Sequence, residues 1–435
     1  MADPTADGLG ANARVLVVLG LLAIVAGVAT GFIGGAFRWL LLRADAVREE
    51  LAAWAHAVPL GVLVVMLVGA LAAVVAALLV KLSPQSAGSG IQDVEAVYRG
   101  EMGSPPLSVV PIRFVGGVVA IGSGMVLGRE GPTVHMGAAL GAGVGKAAKL
   151  DPDDLRVLQT AMSGAGLAVA FNAPVGGALF VLEEVAKSAS FRLIVPTILG
   201  VGAAIACARL VIGDHPDFAV HDVVEPPLFT LPMFLVFGIL VGLLGALYNS
   251  LVVGLLDVGA RLARIPAPLR AAVIGALVGL ALFIDPLTVG GGDALTQVLL
   301  TGQALALPLL LMYASIRFLA GPLSYSAGTP GGLFAPVLAL GALFGTIFAQ
   351  LVEGLAPGLG ADFATAVAIV GMSTLFAAVV RAPLTGIVLI IEMTAITTIT
   401  VPMLLAAGAA VVTAMLVKSP PVYDSLRELT LRSRA

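Results

Sequence analysis

The sequence predicts an all-α integral membrane protein with a duplicated architecture. Of its 435 residues, 59% are hydrophobic and 11% are charged, and its mean hydropathy is +1.07. Soluble domains carry about 25% charged residues, so this composition excludes a soluble globular chain. Two further observations refine the prediction. Several apolar segments are too short to cross a bilayer, and two blocks of motifs recur in the same order in the second half.

The remaining composition excludes several kinds of site. The single cysteine, Cys207, cannot form an internal disulfide. The histidines have no metal-ligand spacing, and they are His56, His135, His215 and His221. A net charge of −3 on so apolar a chain does not indicate a nucleic-acid partner. We therefore expect no metal and no cofactor.

Only some segments have the length of a membrane span, for which about 20 apolar residues suffice. Three segments are long enough to span a bilayer, and they are Val15–Leu42, Pro59–Val80 and Leu231–Leu256. The apolar segments between them are punctuated by Gly and Pro, and they are Ile91–Tyr98, Leu107–Leu127, Thr133–Ala148, Leu155–Phe171, Val175–Val185 and Arg192–Val211. Several of these cannot span. Helices that end at membrane depth are tolerated where they are buried in protein or line a wet cavity, as in transporters with a midplane site.

The second half repeats the order of motifs of the first. Leu140-Gly141-Ala142 and Gly145 recur as Leu340-Gly341-Ala342 and Gly345, and Ala173-Pro174, Gly177 and Glu183 recur as Ala382-Pro383, Gly386 and Glu392. The sequence therefore predicts two repeats, parallel or inverted, with a site between them. The predicted parts are an N-terminal segment 1–14, a first repeat 15–212, a connecting loop 213–227, a second repeat 228–417, and a C-terminal helix and tail 418–435.

The stretch Gly128-Arg129-Glu130-Gly131-Pro132 places two charges among apolar residues. Burying a charge at membrane depth costs at least about 2.5–3.5 kcal/mol, so Glu130 is the main functional candidate. Pro132 favours the first turn of a helix, and a helix N-terminus attracts anions. The alternative is a short exposed loop that carries one ion pair.

Three more motifs could join this stretch at one site. Gly88-Ser89-Gly90-Ile91 puts a hydroxyl at a helix start, where it either caps the helix or donates to a ligand. Gly331-Gly332-Leu333-Phe334-Ala335-Pro336 precedes an apolar helix, and its backbone amides could hold an anion without a basic residue. Tyr423 follows the last apolar run and would, on its own, be an interfacial aromatic anchor.

In this order and spacing, the four motifs resemble those of the CLC family of chloride channels and chloride/proton antiporters. The similarity runs from about Val15 to Glu428. Phe171-Asn172-Ala173-Pro174 followed by Glu183-Glu184 strengthens the likeness to the bacterial exchangers. The resemblance implies a homodimer in which each subunit has its own anion pathway. It also implies a CLC-type fold of two inverted-topology repeats with many tilted, half-length helices.

The resemblance further implies two anion sites. The central chloride would bind two hydroxyls and two backbone amides, those of Ser89, Tyr423, Leu333 and Phe334. The outer site would be made by amides around Arg129, Glu130 and Gly131. One departure from the family pattern is Gln92, which stands where proline is usual after Gly-Ser-Gly-Ile.

Buried charges complete the implied machinery. Glu130 resembles the external gating glutamate, whose carboxylate occupies an anion site when ionised and moves away when protonated. Glu184 matches the internal glutamate that passes protons to and from the cytoplasm, with Glu183 as its flanking acid. The alternative for this pair is an exposed helix end. Glu95 and Arg113 lie on consecutive short segments, and we expect them to pair with each other in a structural or modulating role.

The leading hypothesis is a chloride/proton antiporter in the inner membrane of a bacterium. The nearest alternative is a passive voltage- or pH-gated chloride channel of the same fold, and a fluoride/proton antiporter is less favoured. An intramembrane hydrolase would need a nucleophile with a base or a metal, and HExxH is absent, so we expect no enzyme. A cation-coupled transporter of another fold would explain the duplication but not the four motifs.

Overall fold

The computed structural model describes residues 4–434 except residues 222, 304, 356, 357 and 359, and for residues 4–12 and 433–434 it describes the backbone alone. Positions 1–3, 222, 304, 356, 357, 359 and 435 of the predicted segments therefore lie outside the described residues. The described residues form seventeen α-helices and no β-strand, which confirms the all-α prediction.

Eight helices form the first half. Their bounds are α1 (Pro4–Ala57), α2 (Gly61–Leu82), α3 (Ile91–Tyr98), α4 (Val109–Gly122), α5 (Glu130–Ala147), α6 (Pro152–Phe171), α7 (Pro174–Phe180) and α8 (Phe191–Ile212). A π-helical turn, Val181–Val185, continues α7.

The second half also has eight helices, with a long first helix and short third and seventh helices as in the first half, followed by a C-terminal helix. Their bounds are α9 (Leu231–Arg261), α10 (Ala267–Ile284), α11 (Asp293–Leu300), α12 (Leu307–Ser326), α13 (Phe334–Leu355), α14 (Gly360–Val380), α15 (Pro383–Thr394), α16 (Thr400–Leu416) and α17 (Val422–Arg434).

Eight of the described helices are long and apolar enough to cross a membrane. The predicted segment Ile91–Tyr98 is the short helix α3 with the same bounds, and α4 and α7 are also too short to span a bilayer. The predicted segment Arg192–Val211 is α8, whose 22 residues are enough to cross. The first helix is longer than the predicted Val15–Leu42. Residues 43–57 extend it because they are rich in Ala, Leu, Arg and Glu, and no glycine or proline interrupts them before Pro59.

A reciprocal pair of carboxylates joins the two halves. Glu183, in the π-helical turn, accepts two backbone N–H groups in the first turn of α15, at 3.0 and 2.6 Å. Glu392, in α15, accepts two in the first turn of α7, at 3.0 and 2.7 Å. The donors are Leu384 and Thr385 in one case and Val175 and Gly176 in the other. The first half thus caps a helix of the second half, and the second half caps the equivalent helix of the first. Such a reciprocal contact indicates a twofold axis, here between inverted repeats.

Two fully buried arginines form a second pair of equivalents. Arg113, in α4, donates to the loop before α3, where its acceptors are the carbonyls of Gln85, Ala87, Gly88 and Ser89. Arg317, in α12, donates to the loop before α11, where its acceptors are the carbonyls of Leu287, Val289 and Gly290. Each guanidinium satisfies carbonyls that a broken helix would otherwise leave without donors.

We predict that Glu183→Ala and Glu392→Ala lower the stability of the protein by similar amounts. Each change removes the acceptor of two N–H groups at a helix start, one of them on a buried residue, Gly176 or Thr385. An unsatisfied buried donor costs about 1–3 kcal/mol. Thermal unfolding of the purified protein in detergent measures the loss. Glu428→Ala is the control, because Glu428 is an exposed partner of Arg432 on α17. A loss no larger than in the control would contradict the reciprocal clamp.

Candidate functional site

The loop between α12 and α13 brings three of the four motifs together through backbone hydrogen bonds. Gly332 and Gly128 exchange both of their N–H···O=C bonds, each at 2.8 Å. Farther back in the loop, Gly88 donates to Thr329 and accepts from Gly331, each at 3.2 Å. The loop thus lies like a short strand between the segments that precede α3 and α5. The N-terminal ends of α3, α5 and α13 meet there.

Glu130, the first residue of α5, turns its carboxylate toward the start of α13. Its Oε1 accepts the backbone N–H of Phe334 at 2.7 Å. The residue is fully buried, and Oε2 has no hydrogen-bond partner in the described part of the chain. Gly128 and Gly332 line the carboxylate, and a Cβ at either position would collide with its oxygens. A negative group therefore occupies a helix N-terminus, where backbone N–H groups and the helix dipole favour an anion.

The Ser89 hydroxyl lies against Gly131 at the start of α5, and the Tyr423 ring packs against Phe334 at the start of α13. Ser89 and Tyr423 are fully buried, and among the described residues neither hydroxyl has a close hydrogen-bond partner, although the two interact at longer range. The Tyr423 and Phe334 rings pack with centroids 5.5 Å apart. Leu333 is buried next to Phe334, and a Cβ on Gly131 would lie 2.7 Å from the Ser89 hydroxyl. The structure thus brings the predicted ligands of the central anion together.

The Arg129 side chain is engaged outside this cluster. Its Nε donates to the carbonyl of Ala170 at 2.7 Å, and its terminal nitrogens pair with Asp217 at 2.8 Å and Asp293 at 3.4 Å. Asp217 also pairs with Arg38 of α1. The guanidinium therefore fastens α5 to the connecting loop and to α11, and Arg129 is left to contribute to an anion site through its backbone.

Glu184 lies toward the side of the membrane that is opposite to Arg129 and its partner Asp217. It precedes α8, whereas Asp217 follows α8, and this helix of 22 residues is about 33 Å long. Glu184 is 1% exposed and borders a cavity of 550 Å³, whose wall also includes Lys187 and Arg381. Its neighbour Glu183 is used to cap α15. The two acids of the pair therefore have different surroundings.

Aromatic rings lie between Glu130 and Glu184. Phe180, one turn before Glu184, packs against the ring of Phe334 with centroids 5.8 Å apart. Phe334 also packs against Phe376 at 4.6 Å. These rings have no ionisable group, so a proton that passes between the two carboxylates needs water or a side-chain movement.

The prediction that Glu95 and Arg113 pair with each other was wrong. The guanidinium of Arg113, from α4, reaches the N-terminal end of α3, where it donates to backbone carbonyls. Glu95 lies one turn farther along α3 and pairs with Arg99 at 2.8 Å, Lys187 at 3.4 Å and Arg427 at 3.6 Å. The buried Glu95 carboxylate is thus paired with cations from the end of α3, from the turn after Glu184, and from α17.

Comparison with known sequences agrees with this geometry. A family model described as voltage gated chloride channel matches residues 71–415. The H(+)/Cl(-) exchange transporter ClcA of Vibrio cholerae is 36% identical over 425 residues, which cover 95% of this chain and 90% of that protein. The transporter of the same name from Salmonella paratyphi B is 34% identical over 430 residues, which cover 94% and 88%.

Solved structures show the same fold. A slow cyanobacterial Cl-/H+ antiporter has a TM-score of 0.88 at 30% identity, with 95% of this chain and 98% of that chain covered. A CLC-type fluoride/proton antiporter shares the fold with a TM-score of 0.76 at 24% identity, with 94% and 98% covered. The matched motifs, the family model and the relatives agree: this chain belongs to the voltage gated chloride channel family, the CLC proteins.

Proposed function

We propose that this protein exchanges chloride for protons across the inner membrane of a bacterium. The observation that carries the proposal is the hydrogen bond from the Phe334 N–H to Glu130 Oε1. A carboxylate and a chloride ion are both anions, so they compete for the same backbone donors. The relative from Vibrio cholerae is named an exchange transporter and the cyanobacterial structure an antiporter, which supports coupled exchange.

Protonation of Glu130 would decide which anion occupies the start of α13. An ionised carboxylate is held by the N–H groups and dipole of the helix, and it excludes chloride. A protonated carboxyl group is neutral and is attracted less, so chloride replaces it. Proton binding and chloride binding therefore favour each other. If the proton comes from the side of Glu184 and the chloride from the side of Arg129, each turnover moves them in opposite directions.

The central chloride, in this proposal, binds the hydroxyls of Ser89 and Tyr423 and the amides of Leu333 and Phe334. The burial of two hydroxyls without close partners in the described part of the chain supports this assignment, because such groups are normally hydrogen-bonded. Arg113 supports it as well, since it holds the Ser89 carbonyl at 2.8 Å and so fixes the loop that carries the hydroxyl. The exchange needs no cofactor.

In this proposal the outer anion position is formed by the backbone of Arg129 and Gly131, and the Glu130 carboxylate reaches from it to the Phe334 N–H, a donor of the central site. A site made of backbone groups binds an anion without a facing cation, which keeps release fast enough for transport. The fluoride/proton antiporter supports only the fold and does not favour fluoride as the substrate.

Glu184 is the internal end of the proton path in this proposal. Its burial next to a cavity of 550 Å³ gives a carboxylate that water can reach from one side and that faces the protein interior on the other. A passive chloride channel is the second candidate. That function does not require a second buried carboxylate, so Glu184 favours the exchanger.

We further propose that two copies associate through the face formed by α7 and α15. Before its π-helical turn α7 has 7 residues, and α15 has 12, so neither spans a bilayer. Their first turns expose Val175 and Leu384 to 54% and 55%. Helix ends at membrane depth are not stable against lipid, and a second copy would cover them.

Replacing Glu130 by Gln should stop proton movement while chloride still passes, because an amide cannot ionise but has nearly the shape of the carboxylate. The measurement is proton uptake driven by a chloride gradient in sealed vesicles that contain the purified protein, together with the chloride flux. Glu392→Gln is the matched control, since Glu392 also accepts N–H groups at a helix start. It should keep both fluxes. Proton uptake at the wild-type rate in Glu130→Gln would contradict the proposal.

Glu184→Gln should also abolish coupled proton uptake and preserve chloride flux, because the proton and anion paths separate on that side of the aromatic rings. The same vesicle assay measures both. Glu183→Gln is the control, since Glu183 caps α15 and should leave coupling intact. Coupling that survives Glu184→Gln would exclude this glutamate as the relay. Loss of chloride flux in the folded variant would instead place Glu184 in the anion path.

A further inference from the structure

A third buried hydroxyl, that of Tyr325 near the end of α12, contacts the loop that carries Ser89. Its oxygen accepts the backbone N–H of Ser89 at 3.3 Å. It also lies against Gly88, which has a φ of +60° and where a Cβ would come within 3.0 Å of the oxygen. Tyr325 is 4% exposed. The Tyr325 hydroxyl therefore lies against the backbone of Ser89, the residue whose side chain carries the first hydroxyl of the central site.

Gln92, which replaces the proline usual in the family, reaches the same hydroxyl. Its side-chain amide faces the Tyr325 oxygen as a donor, at a range longer than that of a close hydrogen bond. Gln92 is 6% exposed, and its Oε1 has no hydrogen-bond partner among the residues that the structure describes. A phenol has one O–H donor and two acceptor lone pairs. With the Ser89 N–H and the Gln92 amide directed at the oxygen, the O–H of Tyr325 is left to donate elsewhere.

Both side chains border a cavity that leads to the start of α3. The cavity measures 490 Å³, and its wall also includes Gly88 and Leu426. Leu426 belongs to α17, the helix that carries Tyr423, and the two tyrosines lie within electrostatic reach of each other. The cavity thus lies between the Ser89 loop and the helix that bears the other hydroxyl of the central site.

The charges around this cavity make neutral donors important. Asp93 and Asp257 are part of its wall, and carboxylates repel an anion. The nearby Arg113 lies within reach of Asp93, but its guanidinium is occupied by the carbonyls of the Ser89 loop. Hydroxyl and amide groups are therefore the donors that remain for an anion on this side.

We propose that Tyr325 is a further chloride-binding residue, which donates its hydroxyl to the anion where the cavity meets Ser89, and that Gln92 is a positioning residue for that hydroxyl. The inference rests on the proposed function, because it extends the site formed by Ser89 and Tyr423. The bound species is a small monovalent anion, chloride, held by O–H donors without a facing cation.

Calorimetric titration of chloride into the purified protein tests the role of Tyr325. Tyr325→Phe should weaken chloride binding roughly tenfold to hundredfold, the loss expected for one hydrogen bond to a charged group. Tyr313→Phe is the matched control. Tyr313 lies on the same helix, is buried, and donates to Asp285 at 2.6 Å, away from the site. Equal chloride affinities in the two variants would overturn the proposal.

A second variant tests the role of Gln92. Gln92→Met keeps the length of the side chain and removes the amide, so it should weaken chloride binding by less than Tyr325→Phe. In the Tyr325→Phe background the same change should have no further effect, because there is no hydroxyl left to position. Additive losses would assign Gln92 a separate role and contradict the positioning. If Tyr325→Phe does not fold, an unchanged affinity in Gln92→Met overturns the proposal by itself.

Tyr423→Phe separates failure of this inference from failure of the proposed site. If Tyr423→Phe weakens chloride binding and Tyr325→Phe does not, the inference is wrong and the proposed function stands. If the wild-type protein binds chloride and neither change weakens that binding, the central site is wrongly placed, and the inference is wrong as well.

Discussion

The proposed transport site depends on one hydrogen bond, from the backbone N–H of Phe334 to the carboxylate of Glu130. Each residue begins a helix, and the two helices belong to different repeats. Their starts come within reach because Gly128 and Gly332 exchange backbone hydrogen bonds, and because neither has a Cβ that would fill the space of the carboxylate. Interrupting helices at membrane depth thus provides backbone donors for an anion, in the way that transporters with broken helices use them.

The arginines near the site are all committed to other partners. Arg129 is held by Asp217 and Asp293, and Arg113 is held by backbone carbonyls. These guanidinium groups stabilise the loops and the broken helix ends, so the proposed anion site is left with neutral donors. A free cation facing the ion would hold it too strongly, whereas transport needs binding that is weak enough for release.

Much of the fold and part of the site could be predicted from the sequence, because short apolar helices and glycine-punctuated helix starts are local features. Ser89, Glu130, Phe334 and Tyr423 come together as expected. Contacts between distant segments could not be predicted. In the sequence, nothing distinguishes Asp217 from Asp214 in the same loop. Only the fold places Asp217 at 2.8 Å from Arg129. Likewise the partner of Glu95 on α17 is far away in sequence, and nothing local marks Tyr325 as a neighbour of Ser89.

Competition between a carboxylate and chloride for the same donors can be measured as the chloride affinity of the purified protein at a series of pH values. Protonation neutralises the competing carboxylate, so the account predicts that chloride binds more tightly as the pH falls and that protons are taken up when chloride binds. In Glu130→Gln the affinity should lose this pH dependence. A wild-type affinity that does not change with pH, without proton uptake, would contradict the account.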